Sequence, residues 1–245
     1  MLFILLFTLI FIELYLFVSL HSFRTAIKPV TGLEPTSLSP HNYLLLKDTS
    51  GSGKDEIETV EYEGIKLTPI RQQPIACLAG TRFIDKEKYR LCITGMVNRS
   101  LSLTYNDLLN YPQVSKVLRL DCVDGWNFNA KVTGPYLQSI LKDAGVKPEA
   151  KIAVFRTADV TDGYTSLELS YICEHNIILA MKINDVTIPP EKGFPFQVIA
   201  EGKYGYKWAK WVTVIELTSD EQFRGFWEKR GYNNMANANG PVFET

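Results

Sequence analysis

Between Tyr89 and Leu217 the apolar residues of this chain come in short runs, most of them cut off by Gly, Pro or an Asn-Asp pair before they reach helical length. Runs of that length, rich in Val, Ile and aromatic residues, specify β-strands. Tyr89–Val97 alternates as a half-buried strand does. Leu118–Cys122, Ile152–Thr157, Phe196–Ala200 and Trp211–Leu217 read as further strands, and Asn184-Asp185 between Ile178–Ile183 and Val186–Ile188 reads as a hairpin turn. Helices are few. Thr104-x-x-Asp107 has a capping-box start and Pro112 a stop, and a second short helix is expected around Leu169–Glu174. Over Gly134–Ala144, Leu137, Ile140, Leu141 and Ala144 share one helical face, closed by Gly145. At least six strands are thus interleaved irregularly with short helices. That order predicts an α+β fold built on mixed sheets and excludes a doubly wound parallel sheet.

The 245 residues carry a formal net charge of −1, which leaves no electrostatic footprint for nucleic acid. Four cysteines stand far apart with no C-x-x-C pair, so neither a disulfide scaffold nor a zinc knuckle is indicated. The three histidines form no metal-binding spacing. Any metal held here needs donors from elsewhere.

Residues Leu2–Leu20 are almost continuously apolar, long enough at about 1.5 Å per residue to span a bilayer. No basic n-region or small-residue cleavage site marks a secretory signal. Residues 1–24 are therefore expected to be a transmembrane anchor, with the side of the membrane left open. Residues 25–64, rich in Pro, Ser, Gly, Thr and charge, are expected to be a flexible linker, and 65–245 the folded domain.

Cys122 is the candidate centre of chemistry. Leu118-Arg-Leu-Asp-Cys122 delivers a thiol to a strand end, and Val123-Asp-Gly-Trp126 breaks the strand beside a large aromatic. A lone cysteine more often packs as a small hydrophobe. Here the downstream motifs decide.

Cys122-Val-Asp-Gly-Trp126, Asp162-Gly-Tyr164, Pro189-Pro-Glu-Lys-Gly-Phe-Pro195, Lys203-Tyr-Gly-Tyr-Lys-Trp-Ala-Lys-Trp211 and Phe226-Trp-Glu-Lys-Arg-Gly-Tyr232 follow one another in order. With these motifs, the chain from Arg90 to Tyr232 resembles the molybdopterin-binding oxidoreductases, meaning the sulfite oxidase catalytic domain and the methionine sulfoxide reductase catalytic subunit. The resemblance implies a mixed-sheet sulfite-oxidase-type fold, a molybdenum–molybdopterin cofactor and two-electron oxygen-atom transfer. Cys122 would be the catalytic residue and the one protein ligand to the metal, the pterin supplying the remaining sulfurs. Lys210, with the backbone amides of Trp208 and Ala209, would hold the cofactor phosphate, and Thr157 would contact the cofactor. Lys192 stands where the family commonly has histidine or asparagine, and Gln197 where it has arginine, so the phosphate contacts lose a guanidinium fork. Val132 replaces a usual tryptophan. Tyr204, Tyr206 and Trp211 read as pocket walls.

No haem segment or immunoglobulin-like domain accompanies these motifs, a layout similar to the sulfoxide reductase subunit. It implies a small-molecule oxo donor or acceptor and a separate electron-transfer partner, for which a membrane protein is one candidate. Reduction of an S- or N-oxide is the expected direction. Sulfite oxidation, which needs cations converging on the metal, is the rival. Arg119, Arg156 and Lys207 cannot be placed there from sequence. Two further classes compete with the enzyme reading: a non-catalytic binding protein that keeps the fold, and a cysteine hydrolase pairing Cys122 with His175.

Overall fold

The computed structural model describes residues 56–78 and 80–244. A five-stranded sheet runs β4 (Leu101–Thr104), β3 (Arg90–Gly95), β13 (Val212–Thr218), β7 (Ile152–Thr157), β8 (Thr165–Glu168). Its β13–β3 pair is parallel and the others are antiparallel, so the sheet is mixed as expected. A four-stranded antiparallel sheet runs β11 (Val186–Thr187), β10 (Lys182–Ile183), β6 (Asn127–Pro135), β5 (Gln113–Asp121). Two small pairs complete the set: β12 (Gln197–Ile199) with β9 (Ile178–Ala180), and β1 (Glu61–Tyr62) with β2 (Ile65–Lys66). Three short helices lie between strands: α1 (Tyr105–Leu109), α2 (Leu137–Ala144) and α3 (Leu169–Glu174).

Local chemistry accounts for the boundaries. Thr104 and Asp107 form the full capping box, each side chain accepting from the other's backbone N–H. All four apolar residues expected on the α2 face are buried, and Gly145 ends the helix with φ 68°. Asn184 and Asp185 both take left-handed φ, 50° and 69°, and turn β10 into β11.

Three expectations change. The helix expected from Gly134 begins at Leu137, because Gly134 and Pro135 end β6. That strand, absent from the pattern of apolar runs, pairs with β5 over nine residues. The single run Ile178–Ile183 is two strands in different sheets, with Met181 between them. The last residues of the expected linker, 56–64, are held in place. The Glu58 carboxylate accepts from Asn184 Nδ2 and the Ile70 N–H, Thr59 Oγ1 donates to Asp185, and Glu61–Tyr62 pairs with Ile65–Lys66.

The expected anchor lies outside the described residues. Among the described residues no helix is long and apolar enough to cross a membrane.

Candidate active site

Cys122 sits in the tight turn joining β5 to β6, the longest antiparallel pair among the described residues. Its N–H donates to Trp126 O at 2.9 Å, and Gly125 N–H returns to Cys122 O at 3.0 Å. The turn closes only because Gly125 takes φ 87°, a conformation that L side chains resist. The thiol is thereby fixed at a sheet edge, half-buried, in the wall of a cavity. Its Sγ lies 3.7 Å from Asp124 Oδ2. Burial first, and the Asp124 carboxylate next, push the thiol above its ordinary range. Such a thiol is protonated at neutral pH and becomes a thiolate when a metal takes the proton's place.

Two lysines stand in the same wall. Lys192, in the one-turn 3-10 helix Pro190–Lys192, is 6% exposed and donates to the carbonyls of Gln73 and Pro74, both at 2.8 Å. Lys210 donates to the carbonyls of Ala76 and Glu191. Its stem is packed by Gly193 (φ 115°), where any Cβ would lie 3.0 Å from Lys210 Cβ. The indole N–H of the buried Trp211, itself in left-handed backbone at φ 54°, donates to Pro190 O at 2.7 Å and ties this turn to β13. Burial, then the neighbouring Lys210 charge, lower Lys192 to about 8. Burial also lowers Lys210, partly offset by Cys77, Asp159 and Glu191. The Lys192 ammonium is therefore buried and that of Lys210 half-buried, and both are hydrogen-bonded by carbonyl oxygens rather than by a carboxylate.

Of the residues singled out from sequence, the cavity brings together Cys122, Lys192, Gln197, Trp208 and Lys210. Thr157 and Ala209 lie behind it. Thr157 is 1% exposed, its hydroxyl donates to Asp159 at 2.7 Å, and neither residue lines the cavity. The amides expected to share a phosphate are already used, Trp208 N–H by Gly205 O and Ala209 N–H by Lys207 O. Gln197 Nε2 reaches Trp208 O at 3.4 Å. Val132 lines the cavity, beside Ile183.

The cations considered for sulfite are all engaged elsewhere. Arg119 pairs with Asp121, Arg156 with Glu216 and Lys207 with Glu228, and none of them lines the cavity. His175 stacks on Tyr171 with ring centroids 3.9 Å apart and is likewise no part of the wall, which removes the hydrolase pairing.

Sequence reasoning gives no role to the strap Pro74–Ala76, to Asp124 or to Tyr164, Trp227 and Tyr232, all of which line the cavity. The aromatic residues and Asp124 fall within the ordered motifs, so their signal is present in the sequence. The strap has none: only the lysine-to-carbonyl bonds reveal it. Tyr164 is pushed above the usual phenol range by burial, moderated by a hydrogen bond from Trp227.

Among the described residues no group of three or more His, Cys, Asp or Glu side chains can hold a metal. A metal at Cys122 therefore takes its other donors from a bound group, and the two lysines without carboxylate partners suit an anionic one. The residues present fit a thiolate-ligated metal carried by a phosphorylated cofactor.

The model of the oxidoreductase molybdopterin-binding domain matches residues 79–227. The chain belongs to this family. Within it, the chain is 32% identical over 152 residues to the putative protein-methionine-sulfoxide reductase subunit YedZ1 of Azospira oryzae, an alignment covering 62% of this chain and 57% of that one. It is 28% identical over 206 residues to the mitochondrial sulfite oxidase of Drosophila melanogaster, covering 81% of this chain and 31% of the relative. In both cases the match spans less than two thirds of the relative. The sulfane dehydrogenase SoxCD of Paracoccus pantotrophus has a similar fold, with a TM-score of 0.61 at 23% identity, covering 80% of this chain and 58% of that chain. The chain is thus a member of the molybdopterin-binding oxidoreductase domain family, with an α+β fold like that of SoxCD.

Proposed function

We propose that this protein uses a molybdenum–molybdopterin cofactor, with Cys122 as the metal ligand, to reduce a small S- or N-oxide. The observation that carries this reading is the cavity wall around Cys122. Among the described residues it is largely aromatic and apolar and holds no arginine, and its two lysines are the groups that the anionic part of the cofactor would take. Such a wall accepts a neutral oxo donor and offers little to the sulfite dianion.

The bound cofactor supplies the two-electron oxygen transfer. The chain's own residues do the rest. Cys122 holds the metal at the strand end, Lys192 and Lys210 face the anionic part of the cofactor, and the aromatic wall keeps bulk water from the reacting oxygen. Reduction of a sulfoxide consumes two electrons and two protons and releases the sulfide and water. The electrons come from a separate carrier. That a relative is named as a subunit of a methionine-sulfoxide reductase supports a carrier on another chain. Residues 1–24 would tether the domain to the membrane, raising the effective concentration of a membrane-resident donor.

The test is elemental analysis of protein from a cofactor-competent host, followed by assays in both directions. Stoichiometric molybdenum that is lost in Cys122→Ala, with dye-driven sulfoxide reduction, is the expected result. Sulfite oxidation without sulfoxide reduction would reverse the direction, and molybdenum retained by Cys122→Ala would remove the ligand assignment.

A further inference from the structure

Oxygen transfer at Cys122 leaves one part of the cavity without a task. Tyr206, Trp227 and Tyr232 line it from two different segments. The Tyr206 and Tyr232 rings are 5.3 Å apart at 68°, and those of Trp227 and Tyr232 are 5.3 Å apart at 65°. Three rings meeting nearly edge to face make a corner rather than a stack, and aromatic faces carry the negative side of the ring quadrupole. The corner is fixed in place: Tyr206 O–H donates to Asn233 O at 2.7 Å, and Tyr232 packs on Phe243.

Carboxylates stand close to the corner, although the cavity wall also holds Lys192 and Lys210. Asp124 lines the same cavity beside Cys122. Glu228 and Glu244 bear on the Tyr206 phenol, which they and burial push above its ordinary range. The nearby cation, Lys207, is neutralised by Glu228 at 2.6 Å, and Glu228 Oε2 is buried with no partner of its own. The lysines of the cavity, Lys192 and Lys210, stand against the Pro74–Ala76 strap, where the anionic part of the cofactor would cancel their charge.

We propose that the corner of Tyr206, Trp227 and Tyr232, together with Asp124, is a cation subsite, so that the preferred oxo donor carries an alkylammonium group. The cation sits against the rings while the S- or N-oxide faces Cys122. The proposal rests on the reductase reading and narrows it to a substrate class. A bulky organic cation suits the corner better than a metal ion does, because rings offer polarizable faces and the carboxylates of the cavity, Asp124 and Glu191, are too few for a hard cation.

The experiment uses the full-length, cofactor-loaded protein. Tetramethylammonium and sulfate are titrated against tryptophan fluorescence, since Trp126 and Trp227 line the cavity. Three sulfoxides of similar size are then compared, one bearing a quaternary ammonium, one neutral and one bearing a carboxylate. A saturable response to tetramethylammonium but not to sulfate is expected, with kcat/KM falling in the order cationic, neutral, anionic by about tenfold per step. Asp124→Asn, which keeps the shape, should weaken the tetramethylammonium response and compress the order, and Tyr232→Leu should do the same. Equal kcat/KM for all three sulfoxides, with no saturable response, overturns the subsite and leaves the reductase reading intact. No turnover of any sulfoxide, with a tetramethylammonium response that Asp124→Asn weakens, overturns the reductase reading and retains the subsite.

Discussion

Lys207 and Lys210 lie three positions apart, one buried and one half-buried, and meet the loss of water around an ammonium in different ways. Lys207 is 1% exposed and sits 2.6 Å from Glu228, which is 0% exposed. Thr165 donates to the same carboxylate oxygen, and Lys207 also reaches Ser166 O and Asn234 Oδ1. Lys210, with its neighbour Lys192, hydrogen-bonds to carbonyls alone, those of Gln73, the strap and Glu191, and each lies over a ring, Lys210 over Trp211 and Lys192 over Phe128. A matched pair has its charge cancelled within the protein and ties β8 to the C-terminal segment. An unmatched pair keeps its charge available to a ligand. The first arrangement is what a scaffold uses, and the second is what an anion site uses.

The largest effect should come from breaking the matched pair. Glu228→Gln leaves Lys207 charged and buried, and is expected to cost about 3–5 kcal/mol of unfolding free energy. Denaturant titration checks it. A cost below about 1 kcal/mol would mean that Lys207 finds water, and the contrast between the two sites would collapse.

The unmatched pair should announce itself through pH. Lys192 is lowered from 10.5 to about 8, so between those values the unfolded chain holds a proton that the folded chain has released. Stability from this group therefore rises as pH climbs from about 8 towards 10.5, by up to about 3 kcal/mol, and the penalty is fully present below pH 8. Lys192→Met should remove that rise. The check is the difference between wild type and variant in cofactor-free protein, since the remaining titrating groups are common to both. A difference that stays flat across the window would show that the Gln73 and Pro74 carbonyls already compensate the charge.

How much of this contrast is legible in the sequence depends on distance along the chain. The capping box at Thr104, the α2 face and the Asn184-Asp185 turn are local patterns, and each is readable from a few neighbours. Cys122 and Lys210 are readable as parts of ordered motifs. β6 carries a period-two pattern, with Phe128, Ala130, Val132 and Gly134 buried between polar neighbours, that a search for continuous apolar runs passes over, and Leu137–Ala144 draws the expected helix forward to Gly134. The strap is invisible for a different reason. Its part in the site comes from backbone carbonyls that accept from lysines 118–134 positions away, and no side-chain pattern encodes a carbonyl. Thr157 and Ala209 do not line the cavity, and a motif, which names neighbours in sequence, does not say which way each one faces.

A smaller effect separates the two lysines of the unmatched pair from the fold. On the proposed reading, Lys210→Met removes one of the two cations that would face the cofactor while leaving Lys192 in place. Loaded protein should lose cofactor on gel filtration about tenfold more readily, and thermal stability of the cofactor-free protein should fall by much less than in Glu228→Gln. If Lys210→Met instead unfolds the free protein as severely as Glu228→Gln does, the strap carbonyls are structural partners and the distinction between matched and unmatched lysines is lost.

The smallest effect is expected at the turn that presents Cys122. A Cβ added at Gly125 meets nothing within 4 Å, so Gly125→Ala carries only the backbone cost of φ 87°, about 1 kcal/mol. That cost falls on the turn alone, because β5 and β6 are paired over nine residues below it. Global stability should therefore drop slightly, while the thiol loses its fixed position. Molybdenum content after exhaustive dialysis should fall further than a change of that size in unfolding free energy accounts for. If metal retention and stability fall in proportion, the turn is merely part of the fold. If retention falls alone, Gly125 belongs with Lys192 and Lys210, among the residues whose conformation serves the ligand rather than the core.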